Sequence, residues 1–153
     1  MTHAADLLAA LGARGWTVAV AESLTGGLLA SALVDVPGAS VSVRGGVVAY
    51  ATDVKRDVLG VDPALLDSVG AVDEAVASQM AAGVRRLLRA DVGIATTGVA
   101  GPEPQDGRPV GAVCIAVTTP QGGTTTSFLL EGDRAQIRAA AVEKALTTAL
   151  GRL

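Results

Sequence analysis

Short apolar runs that alternate with helical segments constrain the fold of this chain more than any other feature. Three such runs, over residues 16–21, 43–50 and 91–96, are largely apolar and do not alternate regularly with polar residues. Runs of this kind are typical of strands that helices cover on both faces, so we expect three buried strands. The remaining segments show the spacing of amphipathic helices and occupy residues 4–13, 25–34, 53–59, 63–69 and 73–90.

The last part of the chain adds a hairpin and a helix. Residues 110–119 and 124–130 are predicted to form two antiparallel strands around Pro120-Gln121-Gly122-Gly123, and residues 133–150 a terminal helix. The clearest helix, over 73–90, carries its apolar stripe at Val76, Met80, Val84 and Leu87. This order of elements predicts one domain over residues 1–153, an α/β fold arranged as a three-layer α/β/α sandwich with a mixed, mostly parallel sheet.

Composition removes several classes of function. The chain has a net charge of −3, no run of Lys or Arg longer than a pair, and three aromatic residues, Trp16, Tyr50 and Phe128. It therefore offers neither a basic surface nor a stacking platform, and we predict no nucleic-acid partner. No stretch of about 18–20 apolar residues and no leader segment is visible, so we predict a cytoplasmic protein without a membrane partner.

The scarcity of histidine and cysteine limits the available chemistry. Cys114, the only cysteine, lies in an apolar run and is predicted to be a buried small hydrophobe. His3, the only histidine, lies at the N-terminus, which argues against a His-based triad and excludes a multi-histidine metal site within one chain. We therefore predict no metal and no cofactor, and acid–base catalysis near neutral pH would fall to a Lys, a Tyr or a carboxylate.

A serine stands where the first strand turns into a helix, in the run Glu22-Ser23-Leu24-Thr25-Gly26-Gly27. Free backbone N–H groups at such a junction hold an anion or an oxyanion. Ser23 has two interpretations: a helix cap, or a nucleophile that needs a nearby base. The chain has only two lysines, and Lys144 falls within the terminal helix. Lys55 follows the end of an apolar strand and is either a surface residue or a base whose charged form is disfavoured by apolar walls.

A second junction, Thr97-Gly98-Val99-Ala100-Gly101, follows the third strand. It is too short for a dinucleotide fingerprint and lacks the signature of a Walker loop. However, open α/β sheets bind ligands beyond the carboxyl ends of their strands, and both junctions lie at such ends. Four arginines are candidate phosphate partners, namely Arg44, Arg108, Arg134 and Arg138.

Taken together, these segments resemble the CinA C-terminal domain family. The matching motifs, in order, are Ala21-Glu22-Ser23-x-Thr25-Gly26-Gly27, Val36-Pro37-Gly38-Ala39-Ser40, Arg44-Gly45-x-Val47-x-x-Tyr50, Lys55, Leu59-Gly60-Val61, Gly70-Ala71-Val72, Thr97-Gly98-Val99-Ala100-Gly101-Pro102, Arg108-Pro109-Val110-Gly111 and Gly132-Asp133-Arg134. They cover nearly the whole chain. Three positions depart from the family pattern: Leu24 replaces a common Cys, Asp73 replaces a common Ser and is read as a helix cap, and residues 103–107 replace a glycine-rich stretch.

The resemblance implies a nicotinamide-nucleotide amidase that hydrolyses nicotinamide mononucleotide to nicotinate mononucleotide and ammonia, and it implies a homodimer or a higher homo-oligomer. On this hypothesis Ser23 attacks the carboxamide, Lys55, neutral at rest, serves as the base, and Tyr50 and Thr97 orient the substrate. The backbone from Thr25 to Gly27, with Gly26, stabilises the oxyanion.

The remaining assignments concern the nucleotide. The turn from Gly98 to Gly101 and Arg134 hold its phosphate, and Glu22 positions Lys55 or a ribose hydroxyl. The alternative is a non-catalytic module of the same fold that binds a pyridine nucleotide or a protein partner.

Overall fold

A computed structural model describes all 153 residues. Its six helices are α1 (His3–Arg14), α2 (Leu28–Val34), α3 (Thr52–Asp57), α4 (Pro63–Val69), α5 (Glu74–Leu87) and α6 (Arg134–Arg152). Its five strands are β1 (Val18–Glu22), β2 (Val43–Val48), β3 (Val92–Gly98), β4 (Ala112–Thr119) and β5 (Gly122–Leu129). None of the helices is both long and apolar enough to cross a lipid bilayer.

The five strands form one mixed sheet in the order β2-β1-β3-β4-β5. Strand β1 pairs in parallel with β2 on one side and with β3 on the other. The β4–β5 hairpin extends the sheet through antiparallel pairing of β4 with β3. The carboxyl ends of β1, β2 and β3 therefore meet at one edge of the sheet, where both predicted junctions lie.

Two apolar cores flank the sheet, which confirms the three-layer α/β/α architecture. The first core joins α1, α2 and α6 to the larger strand side chains, such as Val20, Ile94 and Ile115. The second joins the α3–α5 side to small strand residues, such as Ala21 and Ala95. These small residues let α5 approach closely: a Cβ on Gly93 would lie 2.2 Å from the carbonyl oxygen of Ala81. This close approach leaves no room for a larger side chain on β3 at this point of contact with α5.

Local predictions failed in three places. Helix α2 begins at Leu28 instead of residue 25, because Gly26 and Gly27 take positive φ angles of 55° and 104° and form a turn first. The strand predicted over 43–50 is present as β2, but it is an edge strand whose residues alternate between half-buried and exposed, so its predicted burial is wrong. Leu87 lies at the end of α5 and is 49% exposed, although Val76, Met80 and Val84 are buried as predicted.

Two smaller predictions are confirmed. Asp73 caps α5, because its carboxylate accepts a hydrogen bond of 2.8 Å from the Ala75 N–H. Cys114 is a buried free thiol within the sheet. Burial raises the pKa of this thiol above its ordinary value, so Cys114 is less ready to form a thiolate.

Candidate active site

Ser23 lies at the carboxyl end of β1, at the start of a tight turn. The Gly26 N–H donates to the Ser23 carbonyl oxygen at 3.1 Å, and α2 begins two residues later. The Ser23 N–H donates to the Thr96 carbonyl oxygen of the neighbouring strand at 3.1 Å. The serine is therefore held by β3 on one side and by its own turn on the other, and its side chain faces a buried pocket.

Glu22, directly before the serine, stabilises helix α2. Its carboxylate is buried and accepts hydrogen bonds from the Leu29 N–H at 2.8 Å and the Ala30 N–H at 3.0 Å. Gly27 supplies no side-chain cap, so Glu22 provides the negative charge that the helix N-terminus favours. Glu22 makes no hydrogen bond to Lys55, so its predicted role in positioning that lysine is wrong, and it does not line the pocket where a ribose hydroxyl would lie.

Lys55 is the nearest base to Ser23. Its Nζ donates to the Ser23 Oγ at 2.9 Å, to the Ala49 carbonyl oxygen at 2.9 Å and to the Tyr50 carbonyl oxygen at 3.1 Å. The side chain is only 1% exposed and is the largest fully buried side chain of the protein. Three acceptors satisfy the three donors of an ammonium group, and no acidic side chain hydrogen-bonds to it.

Burial lowers the pKa of Lys55 from its ordinary value of 10.5 to about 8, although the negative charge of Asp106 acts in the opposite direction. At pH 7, a group with this pKa is neutral in roughly one molecule in ten. The expectation of a neutral resting lysine therefore holds only above about pH 8. A neutral Lys55 amine would keep two donors for the carbonyl oxygens and turn its lone pair toward the Ser23 hydroxyl.

Tyr50 and Arg134 lie at the mouth of the same pocket. Tyr50 is 62% exposed, and its hydroxyl accepts a hydrogen bond of 3.2 Å from the Arg134 guanidinium. Arg134 also donates to the Gly101 carbonyl oxygen and so joins the β3 junction to the end of β2. Tyr50 and Arg134 thus line the same pocket as Ser23 and Lys55.

Threonine hydroxyls tie the two junctions together. The Thr25 Oγ1 and the Thr96 Oγ1 form a buried hydrogen bond of 2.8 Å. The Thr97 Oγ1 donates to the Ala71 carbonyl oxygen at 2.7 Å and lines the pocket. Thr96 is a residue that the sequence reasoning missed. Thr96 lies on β3 beside Glu22, but the sequence does not show this, because the pairing of β1 with β3 has to be known first.

The turn after Ser23 presents free backbone donors. The N–H groups of Leu24, Thr25 and Gly27 have no acceptor within the protein, whereas the Gly26 N–H is bound to the Ser23 carbonyl oxygen, so the predicted role of Gly26 as an oxyanion donor is wrong. Arg138 holds the opposite side of the turn, since its Nε donates to the Leu24 carbonyl oxygen at 2.8 Å and its terminal nitrogen to the Thr25 carbonyl oxygen at 3.5 Å. In a trans peptide the C=O and N–H groups point in opposite directions, so a Leu24 carbonyl held by Arg138 turns the Thr25 N–H away from α6.

The two pocket glycines of the β3 junction are required by close packing. A Cβ on Gly98 would lie 2.8 Å from the Ala112 carbonyl oxygen, and Gly101 has a φ of 86° with Val110 nearby. Both line the pocket and present backbone to it. The other two candidate phosphate partners have different contacts: Arg44 donates to the Leu88 carbonyl oxygen, and Arg108 pairs with Asp73. No three His, Cys, Asp or Glu side chains come together in a group able to hold a metal ion.

Comparison with known proteins identifies the family. The sequence profile of the CinA C-terminal domain matches residues 1–153, the whole length of the chain. This chain belongs to the CinA C-terminal domain family. It is 57% identical over 133 residues to a CinA-like protein of Frankia casuarinae, covering 87% of the chain and 31% of that protein. It is 48% identical over 151 residues to a CinA-like protein of Mycolicibacterium paratuberculosis, covering 95% of the chain and 34% of that protein. The chain thus spans about a third of the length of these relatives.

Solved structures of the CinA superfamily share the fold over nearly all of the chain. A competence damage-inducible protein A of Klebsiella pneumoniae superposes with a TM-score of 0.94 at 37% identity, covering 98% of this chain and 94% of that one. A CinA superfamily protein of Escherichia coli superposes with a TM-score of 0.96 at 36% identity, covering 99% of this chain and 88% of that one. The α/β/α fold is therefore the fold of this CinA domain.

Proposed function

We propose that this CinA domain is a nicotinamide-nucleotide amidase that converts nicotinamide mononucleotide and water into nicotinate mononucleotide and ammonia. The observation that carries the proposal is the distance of 2.9 Å between the Lys55 Nζ and the Ser23 Oγ inside a buried pocket. A serine becomes nucleophilic near neutral pH only with a base in hydrogen-bond reach, and Lys55 is that base here. Because burial brings the pKa of Lys55 to about 8, a neutral fraction is present at neutral pH.

The first half of the reaction forms an acyl-enzyme. Neutral Lys55 takes the Ser23 proton while the Oγ forms a bond to the carboxamide carbon, and the carbonyl oxygen becomes an oxyanion. We assign this oxyanion to the free N–H groups of the turn after Ser23, of which Leu24 lines the pocket, and one such donor contributes about 3 kcal/mol to transition-state stabilisation. The Lys55 ammonium then passes its proton to the amide nitrogen, the C–N bond breaks, and ammonia leaves.

In the second half, Lys55 takes a proton from water, the hydroxide attacks the acyl carbon, and Ser23 regains its proton as the carboxylate product leaves. Tyr50 and Thr97 orient the substrate, and Arg134 and the backbone from Gly98 to Gly101 hold the phosphate. Arg134 suits this role because its guanidinium lies at the mouth of the pocket with no carboxylate partner. Assembly into a homodimer or a higher homo-oligomer stays a prediction of the family resemblance.

Ammonia release from nicotinamide mononucleotide tests the proposal. We expect turnover by the wild-type protein and a loss of at least a hundredfold in kcat for Ser23→Ala and for Lys55→Met. Lys144→Met is the matched control, because it removes the only other lysine, whose Nζ lies against the Phe128 ring 5.1 Å from its centroid. Wild-type rates from either site variant would exclude the Ser–Lys mechanism.

Two further outcomes separate the rival interpretations. An acyl adduct on Ser23, trapped at low pH and located by mass spectrometry, is expected for the nucleophilic mechanism. Turnover without any adduct would favour direct attack by water, with Ser23 as a positioning residue. Binding of nicotinamide mononucleotide without ammonia release would identify a non-catalytic module instead.

A further inference from the structure

The loop that departs from the family pattern forms a tight hairpin. The Gln105 N–H donates to the Arg108 carbonyl oxygen at 3.1 Å, and the Arg108 N–H donates to the Gln105 carbonyl oxygen at 2.8 Å. The two residues between them, Asp106 and Gly107, have φ angles of 51° and 73°. Two positive φ angles in succession are typical of the type I′ turn, for which Asp-Gly is a preferred pair. The loop is therefore held in one shape by its own backbone.

This hairpin docks on the segment that precedes α5. The Asp106 carboxylate accepts a hydrogen bond of 3.1 Å from the Ala71 N–H. The approach requires a glycine at position 70, since a Cβ there would lie 2.8 Å from the Cβ of Asp106. The Arg108 guanidinium adds a second contact of 3.5 Å to Asp73, the cap of α5. The tip of the hairpin is thus fixed at two points.

Ala71 connects the hairpin to the pocket. Its N–H is held by Asp106, and its carbonyl oxygen accepts a hydrogen bond from the Thr97 hydroxyl of β3. Ala71 lines the same pocket as Ser23 and Lys55. A substitution of Asp106 therefore affects the pocket wall directly, because it changes the hydrogen bond that holds Ala71.

Asp106 also acts on Lys55 through its charge. Its negative charge opposes the effect of burial and raises the pKa of the lysine. The other charged or titratable groups that line this pocket are Tyr50, Glu103 and Arg134, and Asp53 lies on the same helix as Lys55. Among the acidic groups, only the charge of Asp106 acts on the pKa of Lys55.

We propose that Asp106 is a positioning residue for the Ser23–Lys55 site, which fixes the Ala71 wall of the pocket and places its negative charge directly against that wall. Its effect on turnover rests on the proposed amidase function, whereas its effect on Lys55 itself does not.

The substitution Asp106→Asn separates the two parts of this role. Asparagine keeps a carbonyl oxygen for the Ala71 N–H and tolerates a positive φ, but it removes the charge. We expect the midpoint of the Lys55 titration to fall by roughly half a pH unit in Asp106→Asn. Turnover at pH 7, which needs the neutral amine, then rises about threefold.

Carbon NMR of protein labelled with [ε-¹³C]lysine measures the titration directly. The chain contains two lysines, so the spectrum has two signals, and Lys144→Arg assigns them. Glu103→Gln is the matched control, because it makes the same charge change in the same loop, and we expect it to leave the Lys55 midpoint in place. Since Asp106 is exposed, salt screens its charge. We therefore expect the difference in Lys55 midpoint between wild type and Asp106→Asn to shrink in about 0.5 M salt, where the Debye length is short.

Equal Lys55 midpoints in the wild type and Asp106→Asn would overturn the proposal, as would an equal shift in Glu103→Gln. Asp106→Ala provides a second test. We expect a lower midpoint of the Lys55 titration together with reduced kcat, because both the charge and the contact with Ala71 are lost. If the Lys55 midpoint falls in Asp106→Asn and no variant releases ammonia, Asp106 keeps its role and the amidase function fails.

Discussion

At the scale of single residues, burial of Lys55 lowers the pKa that the proposed base needs, and it also lowers the free energy of unfolding. The native state holds the pKa of this lysine near 8, while the unfolded chain restores it to 10.5. Below pH 8 both states carry the proton, and the cost of burying the charge, on the order of 3 kcal/mol, is fully present. Between pH 8 and 10.5 the unfolded state binds more protons than the native state, so the free energy of unfolding rises with pH.

This sign gives a stability prediction that does not depend on any activity. We compare the free energy of unfolding of Lys55→Met with that of the wild type. We expect the difference in favour of Lys55→Met to be largest below pH 8 and smaller by about 3 kcal/mol at pH 10.5. Urea titrations of both proteins from pH 6 to 10.5 measure the difference. A difference that stays constant over this range would show that the pKa of Lys55 is the same in the native and unfolded states.

Residue types alone could indicate Ser23 and Lys55, because a chain with one terminal histidine and two lysines leaves few groups for acid–base chemistry. They could not indicate the role of Glu22. A buried carboxylate beside a serine suggests catalysis, and only the three-dimensional path of α2 brings two backbone N–H groups onto its oxygens. Asp106 is a second case: its distance of 51 residues along the chain from Lys55 hides their electrostatic interaction.

At the scale of elements, helix α6 holds both junctions of the site through two arginines one turn apart. Arg134 contacts the Gly101 carbonyl oxygen and the Tyr50 hydroxyl, and Arg138 contacts the carbonyl oxygens of Leu24 and Thr25. Residues four apart share one face of a helix, so a single helix sets the positions of both loops. The sequence predicts the helix and contains both arginines, but it does not show which loop each arginine contacts. Their partners are mainly backbone oxygens, which leave no sequence signal.

Loss of Arg138 should affect catalysis more than binding. We expect Arg138→Met to lower kcat about tenfold or more with little change in KM, because it releases the turn whose free N–H groups the proposed mechanism assigns to the oxyanion. Steady-state ammonia release measures both parameters, and we expect added guanidinium ion to restore part of kcat.

The matched control is Arg44→Met, which removes a similar bond from an arginine to the Leu88 carbonyl oxygen on a different part of the surface. A rise in KM with unchanged kcat in Arg138→Met would assign this arginine to substrate binding instead.

Element boundaries were predictable where glycine or proline marks them and unreliable where tertiary packing decides. Helix α4 begins at residue 63 as predicted: this residue is a proline, and Asp62 before it accepts a hydrogen bond from the Ala64 N–H. Strand β2 has the apolar residues of a buried strand but lies at the sheet edge, because the β4–β5 hairpin occupies the opposite side. The order of strands in a sheet depends on crossovers, which local periodicity does not contain.

At the scale of the whole molecule, the sheet is shared by two cores that face opposite layers of helices. Strands β1, β3 and β4 contribute side chains to both, with valine and isoleucine on one face and mainly alanine on the other. Neither helical layer can therefore lose its contacts without exposing one face of the same three strands. This arrangement predicts that the two cores unfold together, as is usual for a domain of this size.

Matched substitutions in the two cores test this cooperativity. Leu29→Ala in the first core and Leu59→Ala in the second each remove a fully buried leucine side chain, and we expect each to cost about 2–5 kcal/mol.

Trp16, the only tryptophan, packs against the first core and reports on it by fluorescence. We expect Leu59→Ala to lower the Tm recorded by Trp16 as much as the Tm recorded by far-ultraviolet circular dichroism, although Leu59 lies on the opposite face of the sheet. Leu129→Ala, at a side chain that is 69% exposed, is the control and should leave both Tm values nearly unchanged. A Trp16 transition that keeps its wild-type Tm in Leu59→Ala, while the circular dichroism transition shifts or splits, would show that the two layers unfold independently.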